Sequence, residues 1–295
     1  MLSLLISKQV LKTGKNMKMK NRHLVSLLLI ASIFWSGCST LNANLNGEVS
    51  YLDTVKQNFE AGEKALADKS YEEAIAYFEH VRSKYPYSIY AALSDLRLAD
   101  AYFDQAKWLE AADAYDFYLR FHPRHEKSGY AWFQIGKSYF NAQPENLFIF
   151  PPSYLKDQTA TKEALEAIDR YLVEYPTHEK VDEAKKMRIE LRLNLSLRDM
   201  KIAEYYAKRK RWPAAMSRYE RVAALYPDTG CAPESLFEAA KIAEHELKRP
   251  QIALSLLEKL LAQYADSKFV SEATKLKTRL AAATEIVEEP EEETK

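Results

Sequence analysis

The sequence predicts an all-α chain, an α-solenoid of five helical hairpins, and three observations carry that prediction. One stretch recurs five times in register: YEEAIAYFEHVRSKYP at 71–86, WLEAADAYDFYLRFHP at 108–123, TKEALEAIDRYLVEYP at 161–176, WPAAMSRYERVAALYP at 212–227 and PQIALSLLEKLLAQYA at 250–265. Only seven glycines occur in 295 residues. Alanine, leucine, lysine and glutamate, all strong helix formers, lead the composition together with tyrosine.

The chain opens with a targeting segment, residues 1–37. Lys18, Lys20 and Arg22 precede an apolar run, Leu24 to Trp35, far shorter than the roughly 20 residues that cross a bilayer, so it has the length of a signal-peptide core. Met17 or Met19 would begin a more ordinary signal peptide. Ser36, Gly37 and Cys38 resemble the lipobox of bacterial lipoproteins, in which the cysteine is acylated and becomes the new N-terminus. Trp35 departs from the aliphatic residue usual there, and a plain buried or free thiol is the alternative. If Cys38 is acylated, each buried methylene contributes about 0.8 kcal/mol and the anchor needs no transmembrane helix. The resemblance also makes Ser39 a signal for passage to the outer membrane of a Gram-negative bacterium. Residues 38–50 are polar and read as a tether.

The solenoid is expected over 51–283, with units at about 51–86, 88–123, 126–176, 178–227 and 230–265 and a final helix to 283. Ala74, Ala111, Ala164, Ala215 and Ala253 each lie twelve residues before Pro86, Pro123, Pro176, Pro227 and the substituted Ala265. Apolar residues between them, such as Ala74, Phe78 and Val81, fall on one helical face that the proline then ends. A second helix precedes each, with a small residue twelve positions before the alanine in three units: Gly62, Ala99 and Ala203. Gly136 is displaced by an insertion and Ala240 by one extra residue. Small side chains there let antiparallel helices approach closely. Trp132, Ile135, Gly136 and Tyr139, with the alanine, aromatic and proline positions, resemble the tetratricopeptide repeat (TPR).

The array is irregular in two places. Residues 143–158 interrupt the third hairpin with an apolar, proline-broken stretch that either packs on a neighbour or is exposed for a partner. Val181 to Lys208 holds neither glycine nor proline, which predicts a first helix of unit four about four turns longer than its counterparts, roughly 21 Å. Residues 284–295 hold six glutamates and one lysine and read as an acidic disordered tail.

Charge and motif content exclude several functions. With the signal segment and tail set aside, bases and acids nearly balance, which is unlike a phosphate-tracking nucleic-acid binder. The scarcity of glycine excludes phosphate loops and nucleophile elbows. Six scattered histidines and the two cysteines, Cys38 and Cys231, lack metal-site spacing. His122 and His125 read as turn residues and Cys231 as a packing residue, with a reactive thiol as the alternative. No catalytic residue, metal or cofactor is expected. The cluster Lys208, Arg209, Lys210, Arg211 with Trp212 either caps a helix or binds a partner. Most of the nineteen tyrosines read as core, with a few facing a groove formed by the first helices.

The lipobox, the five units, the long fourth-unit helix and the stretch AEYYAKRKRWPAAMSRYE at 203–220 with YPDT at 226–229 together resemble the BamD family, lipoproteins of the outer-membrane β-barrel assembly machine (BAM complex). YPYSIYAAL at 85–93 is similar to that family's first units. The resemblance implies a periplasmic scaffold, lipid-anchored to the outer membrane and without enzymatic activity. Units one to three would receive unfolded outer-membrane proteins, with Tyr77, Tyr87, Tyr90 and Tyr102 as candidate groove liners. Units four and five would bind BamA-like POTRA domains through Arg218, Tyr205 and Trp212, and other BAM lipoproteins would join them. The alternative is an envelope TPR lipoprotein that scaffolds peptidoglycan enzymes or pilus secretin assembly.

Overall fold

A computed structural model describes residues 49–144 and 152–288. The chain divides into two compact units, Met1–Ser50 and Tyr51–Lys295, and the described helices belong to the second. Cys38, the tether before residue 49, the apolar residues Leu147 to Phe150 and the tail from Glu289 lie outside the described residues. Those described form eleven α-helices: α1 Val55–Ala67, α2 Tyr71–Lys84, α3 Ile89–Asp104, α4 Trp108–Phe121, α5 Ser128–Asn141, α6 Thr159–Glu174, α7 Val181–Lys208, α8 Trp212–Leu225, α9 Cys231–Lys241, α10 Pro250–Gln263 and α11 Val270–Glu288. Consecutive helices pair into five hairpins, α1/α2 through α9/α10, with α11 covering the last. The protein is an all-α solenoid of TPR type.

The repeated alanines are the points of closest packing. Ala74, Ala111, Ala164, Ala215 and Ala253 are all fully buried, as are Ala99, Ala203 and Ala240 opposite them. At the two glycine positions the helices come closer still. A Cβ on Gly62 would stand 2.7 Å from the Phe78 ring, and one on Gly136 would stand 2.5 Å from Ile168 Cδ1.

Four of the five hairpin turns, all but the third with its insertion, reverse through one left-handed residue among the described residues. Lys69, Ala106, Lys210 and Lys248 have φ of 55 to 59°, each five positions before its unit's alanine. In the first unit Lys69 N–H donates to Leu66 O and Ser70 N–H to Ala65 O, the paired bonds of a Schellman cap. The fifth unit carries one extra residue, and the structure absorbs it as a π-helical turn, Ile242–Glu246, continuing α9. The extra residue therefore leaves Ala240 and Ala253 in register.

Turns between units are as uniform. The residues capping α2, α4, α6, α8 and α10 (Tyr85, His122, Tyr175, Tyr226 and Tyr264) share φ near −130° and ψ of 51 to 58°. The N–H three residues on donates back to each capping carbonyl at 2.9–3.2 Å. Ala265 replaces proline in the fifth turn without changing this geometry. The α-disfavouring constraint that proline places on its predecessor is already met by Tyr264.

The long helix α7 joins two blocks. Its first half supplies Ala184, Met187 and Leu191 to the core shared by α5 and α6. Its second half supplies Ala203 to the large C-terminal core and Met200 to a smaller cluster with Val222 and Cys231. The buried stripe steps by one residue between Leu195 and Ser196, about 100° around the helix axis, so each half faces a different hairpin. The described end of the insertion packs on this helix: Ser153 Oγ donates to Asn194 Oδ1 at 3.4 Å, and Ser153 and Gln158 are buried.

At the C-terminus α11 runs to Glu288, five residues beyond the expected end, so the first part of the acidic segment is helical. Glutamate sustains a helix, and the sequence holds no helix breaker in this stretch before Pro290.

Replacing Ala265 by proline should raise stability by about 0.4–1 kcal/mol, because Tyr264 already has the pre-proline backbone and only the unfolded state loses freedom. A thermal melt checks this. An unchanged or lowered midpoint would mean that the fifth turn differs from the other four.

Candidate binding surfaces

In the N-terminal block the first helices of units one to three converge on a charged cleft that no single motif had marked. Glu63 comes from α1, Arg97, Asp100 and Asp104 from α3, and Tyr130 and Gln134 from α5. Arg97 Nε lies 2.7 Å from Glu63 Oε1, and its Nη1 donates to Asp100 Oδ2 at 2.9 Å. Asp100, nearly buried, also accepts from Tyr115 Oη at 2.6 Å and Tyr130 Oη at 2.9 Å on its other oxygen. Gln134 Nε2 donates to both phenol oxygens. Burial and the Asp100 charge push the Tyr115 phenol well above its ordinary range, which keeps it a donor. Burial, with Asp100 beside it, also holds the Asp104 carboxyl above the usual value.

Above this network lies a cleft of about 510 Å³ lined by Glu63, Leu66, Lys69, Tyr71, Arg97 and Asp104. A smaller recess of about 150 Å³ reaches from it to Asp100, Tyr115, Tyr130 and Gln134. Exposed groups of both signs over a satisfied polar floor suit a peptide backbone or chain terminus more than an apolar ligand.

The four tyrosines expected to line a groove are not gathered there. Tyr77 is buried and meets Tyr51 edge-on at 6.1 Å, so its ring is core. Tyr90 is half-buried against Phe59 at 5.2 Å. Tyr102 is half-buried in the second core with Lys107 Nζ 5.9 Å above its ring. Tyr87 is fully exposed in the turn between units one and two, beside exposed Ile89. Tyr71 is the tyrosine that lines the cleft.

In the C-terminal block Arg218, Tyr205 and Trp212 occupy one hairpin, α7/α8, on different faces. Arg218 points toward α7, where Asp199 lies 3.8 Å away and is shared with Arg221 at 3.5 Å. Its side chain stays 37% exposed, so a second carboxylate can reach it. Tyr205 is exposed, and the Arg209 guanidinium stacks 4.2 Å over its ring. Trp212 packs on the C-terminal core and walls a cleft of about 170 Å³ with Ala207, Tyr219, Glu238, Ile242, His245 and Glu246.

The YPDT stretch also has a role. Asp228 accepts from Arg192 Nε on both carboxylate oxygens at 2.9 and 2.8 Å, while Arg192 Nη2 donates to Leu225 O. This clamp ties the end of α8 to the middle of α7 and holds the Asp228 carboxyl below its usual range. Thr229 Oγ1 closes the turn by donating to Tyr226 O at 2.8 Å. Cys231 is buried, and burial pushes its thiol up, so the packing reading fits and a reactive thiolate does not. His122 Nε2 meets Asp95 Oδ2 at 3.0 Å, and His178 Nδ1 meets Tyr171 Oη at 2.7 Å. The first contact ties the two helices of unit two together, and the second joins unit three to unit four.

Fold and surfaces define a TPR-type scaffold, and the tetratricopeptide repeat family matches residues 234–267. The chain belongs to the outer membrane lipoprotein family YfiO, which matches residues 52–248. It is similar to the outer membrane protein assembly factor BamD of Neisseria gonorrhoeae, 26% identical over 81% of this chain and 90% of that protein. It is also similar to the factor of the same name from Vibrio cholerae, 26% identical over 74% and 88%, and from Xylella fastidiosa, 27% identical over 70% of each. A TPR repeats protein of known structure from Bacteroides fragilis superposes on 79% of the chain at 12% identity with a TM-score of 0.45, too distant to add to the fold assignment.

Replacing Asp100 by alanine leaves Tyr115 and Tyr130 without their shared acceptor and Arg97 without one of its carboxylate partners, and should cost roughly 2–3 kcal/mol. Chemical denaturation of the variant checks this, and a loss below about 0.5 kcal/mol would show that the network does not hold units two and three together.

Proposed function

We propose that this protein is a lipid-anchored, periplasm-facing scaffold of the β-barrel assembly machine that brings unfolded outer-membrane proteins to a BamA-like partner. The observation that carries this reading is the extent of the family match: it runs from residue 52 to 248, through the charged cleft, the long helix and the Arg218 hairpin. The relatives are named as outer membrane protein assembly factors, which favours this client class over cell-wall enzymes or pilus secretins and implies no catalysis by the chain itself.

In mechanism the two blocks divide the work. The cleft between α1, α3 and α5 receives an extended client segment by backbone and terminal-charge contacts. The α7/α8 hairpin meets a POTRA domain through Arg218, whose planar fork pairs with a carboxylate in two parallel bonds that lysine would not reproduce. The rigid α7 fixes the distance between the two events, and acylation of Cys38 keeps both near the membrane.

A pull-down from detergent-solubilised membranes, wild type beside Arg218→Ala, tests this. Arg221 remains on Asp199 when Arg218 is removed, so the fold should persist. Recovery of a POTRA-barrel protein with wild type and its reduction at least several-fold with the variant is the expected result. Recovery of cell-wall or pilus proteins with no POTRA partner would overturn the reading.

A further inference from the structure

The basic turn Lys208–Arg211 is only partly explained by helix capping. Lys208 lies in the last turn of α7 and Arg209 caps it, where a helix dipole favours cations. Arg211, however, is the N-cap of α8, and Arg249 is the N-cap of α10. Both positions face the positive end of a dipole, and neither side chain caps its helix. The two turns adjoin, since Trp212 and Leu247 pack on the same core and Ala207, Trp212, Ile242, His245 and Glu246 wall one cleft.

Six exposed cations thus share one surface: Lys208, Arg209, Lys210, Arg211, Lys248 and Arg249. Among the described residues no carboxylate forms an ion pair with any of them. The acids nearby are engaged elsewhere: Glu204 holds Lys201, Glu238 holds Lys241, and Glu244 meets Arg279 and His245. Glu246 remains as the local counter-charge.

The last helix runs back toward the level of that surface. α11 packs antiparallel to α10, with Lys277 Nζ 3.1 Å from Glu258 Oε1. Nine residues back from Glu258 is Arg249, and nine residues on from Lys277 is Ile286, so helices rising equally bring these two level. Arg279 on Glu244 places α11 beside the π turn as well. The acidic run therefore begins where the basic surface lies, with glutamates at 285, 288, 289, 291, 292 and 293.

We propose that the acidic C-terminal segment, Glu285 to Glu293, docks in cis on the basic surface formed by Lys208–Arg211 and Lys248–Arg249. Six glutamates meet six cations, and because the segment is tethered its effective concentration is in the millimolar range without any large buried area. Exposed pairs of this kind are weakened by salt. The proposal does not depend on the assembly reading.

Reactivity of the lysines tests it. The full mature lipoprotein in detergent, and the same chain with Glu288→Gln, Glu289→Gln, Glu291→Gln, Glu292→Gln and Glu293→Gln, are acylated with an amine-reactive ester and mapped by mass spectrometry. Lys208, Lys210 and Lys248 should react several-fold more slowly in wild type at low salt. That protection should vanish at about 1 M salt, where the screening length is ~3 Å, while Lys56 and Lys185 react alike throughout. Carbodiimide should join the glutamates to Lys208 or Lys210 within one chain. Equal lysine reactivity in the two proteins would overturn the proposal. So would protection that appears in both proteins only on adding vesicles containing phosphatidylglycerol, which would assign the surface to lipid instead.

Discussion

The close approach of paired helices at one small residue per hairpin is the constraint on which the rest of the structure depends. Gly62, Ala99, Gly136, Ala203 and Ala240 let the facing helix come near enough for Phe78, Ile168 and their counterparts to be wholly buried. Once that distance is fixed, each hairpin can bury its outward face only against the next one, and the turns follow. A left-handed residue five positions before the alanine in units one, two, four and five, and a uniform three-residue turn after each capping residue, keep the spacing constant. Where the sequence breaks the count, the structure absorbs the extra residue of the fifth hairpin in a π turn, and in the third the described end of the insertion packs on α7.

The second organising element is α7. A repeat array transmits position only through neighbour contacts, but a continuous helix of 28 residues shared by two cores couples its ends directly. The price is a buried stripe that changes face halfway, and the Arg192–Asp228 clamp and the Asp199 pairs steady the second half against α8. The charged cleft and the Arg218 hairpin are thereby held on one frame.

Much of this was legible in the sequence because repetition multiplies a weak signal. One alanine twelve residues before a proline means little, whereas five at matching positions define hairpins and place Ala74 or Ala253 in the core. The length of α7 followed from the absence of any helix breaker. The charged cleft was not legible, since Glu63, Arg97, Asp100, Tyr130 and Gln134 come from three helices up to 71 positions apart and each alone resembles a solvated helix face. Tyrosine position was misleading for the same reason: Tyr77 and Tyr87 are ten residues apart, yet one is core and the other fully exposed. The acidic segment looked disordered from its charge, but its first residues have no helix breaker before Pro290 and extend α11.

The central claim is that close approach at the small-residue position holds the array together, and a double-mutant cycle on the third hairpin tests it most directly. Gly136→Val forces side-chain atoms into the space of Ile168 and should cost about 1–3 kcal/mol. Ile168→Ala alone should cost about 2–5 kcal/mol through the cavity it leaves. Combined, the two should cost clearly less than their sum in urea denaturation, because the valine refills the vacated space. Additive losses, or a Gly136→Val protein as stable as wild type, would contradict the account.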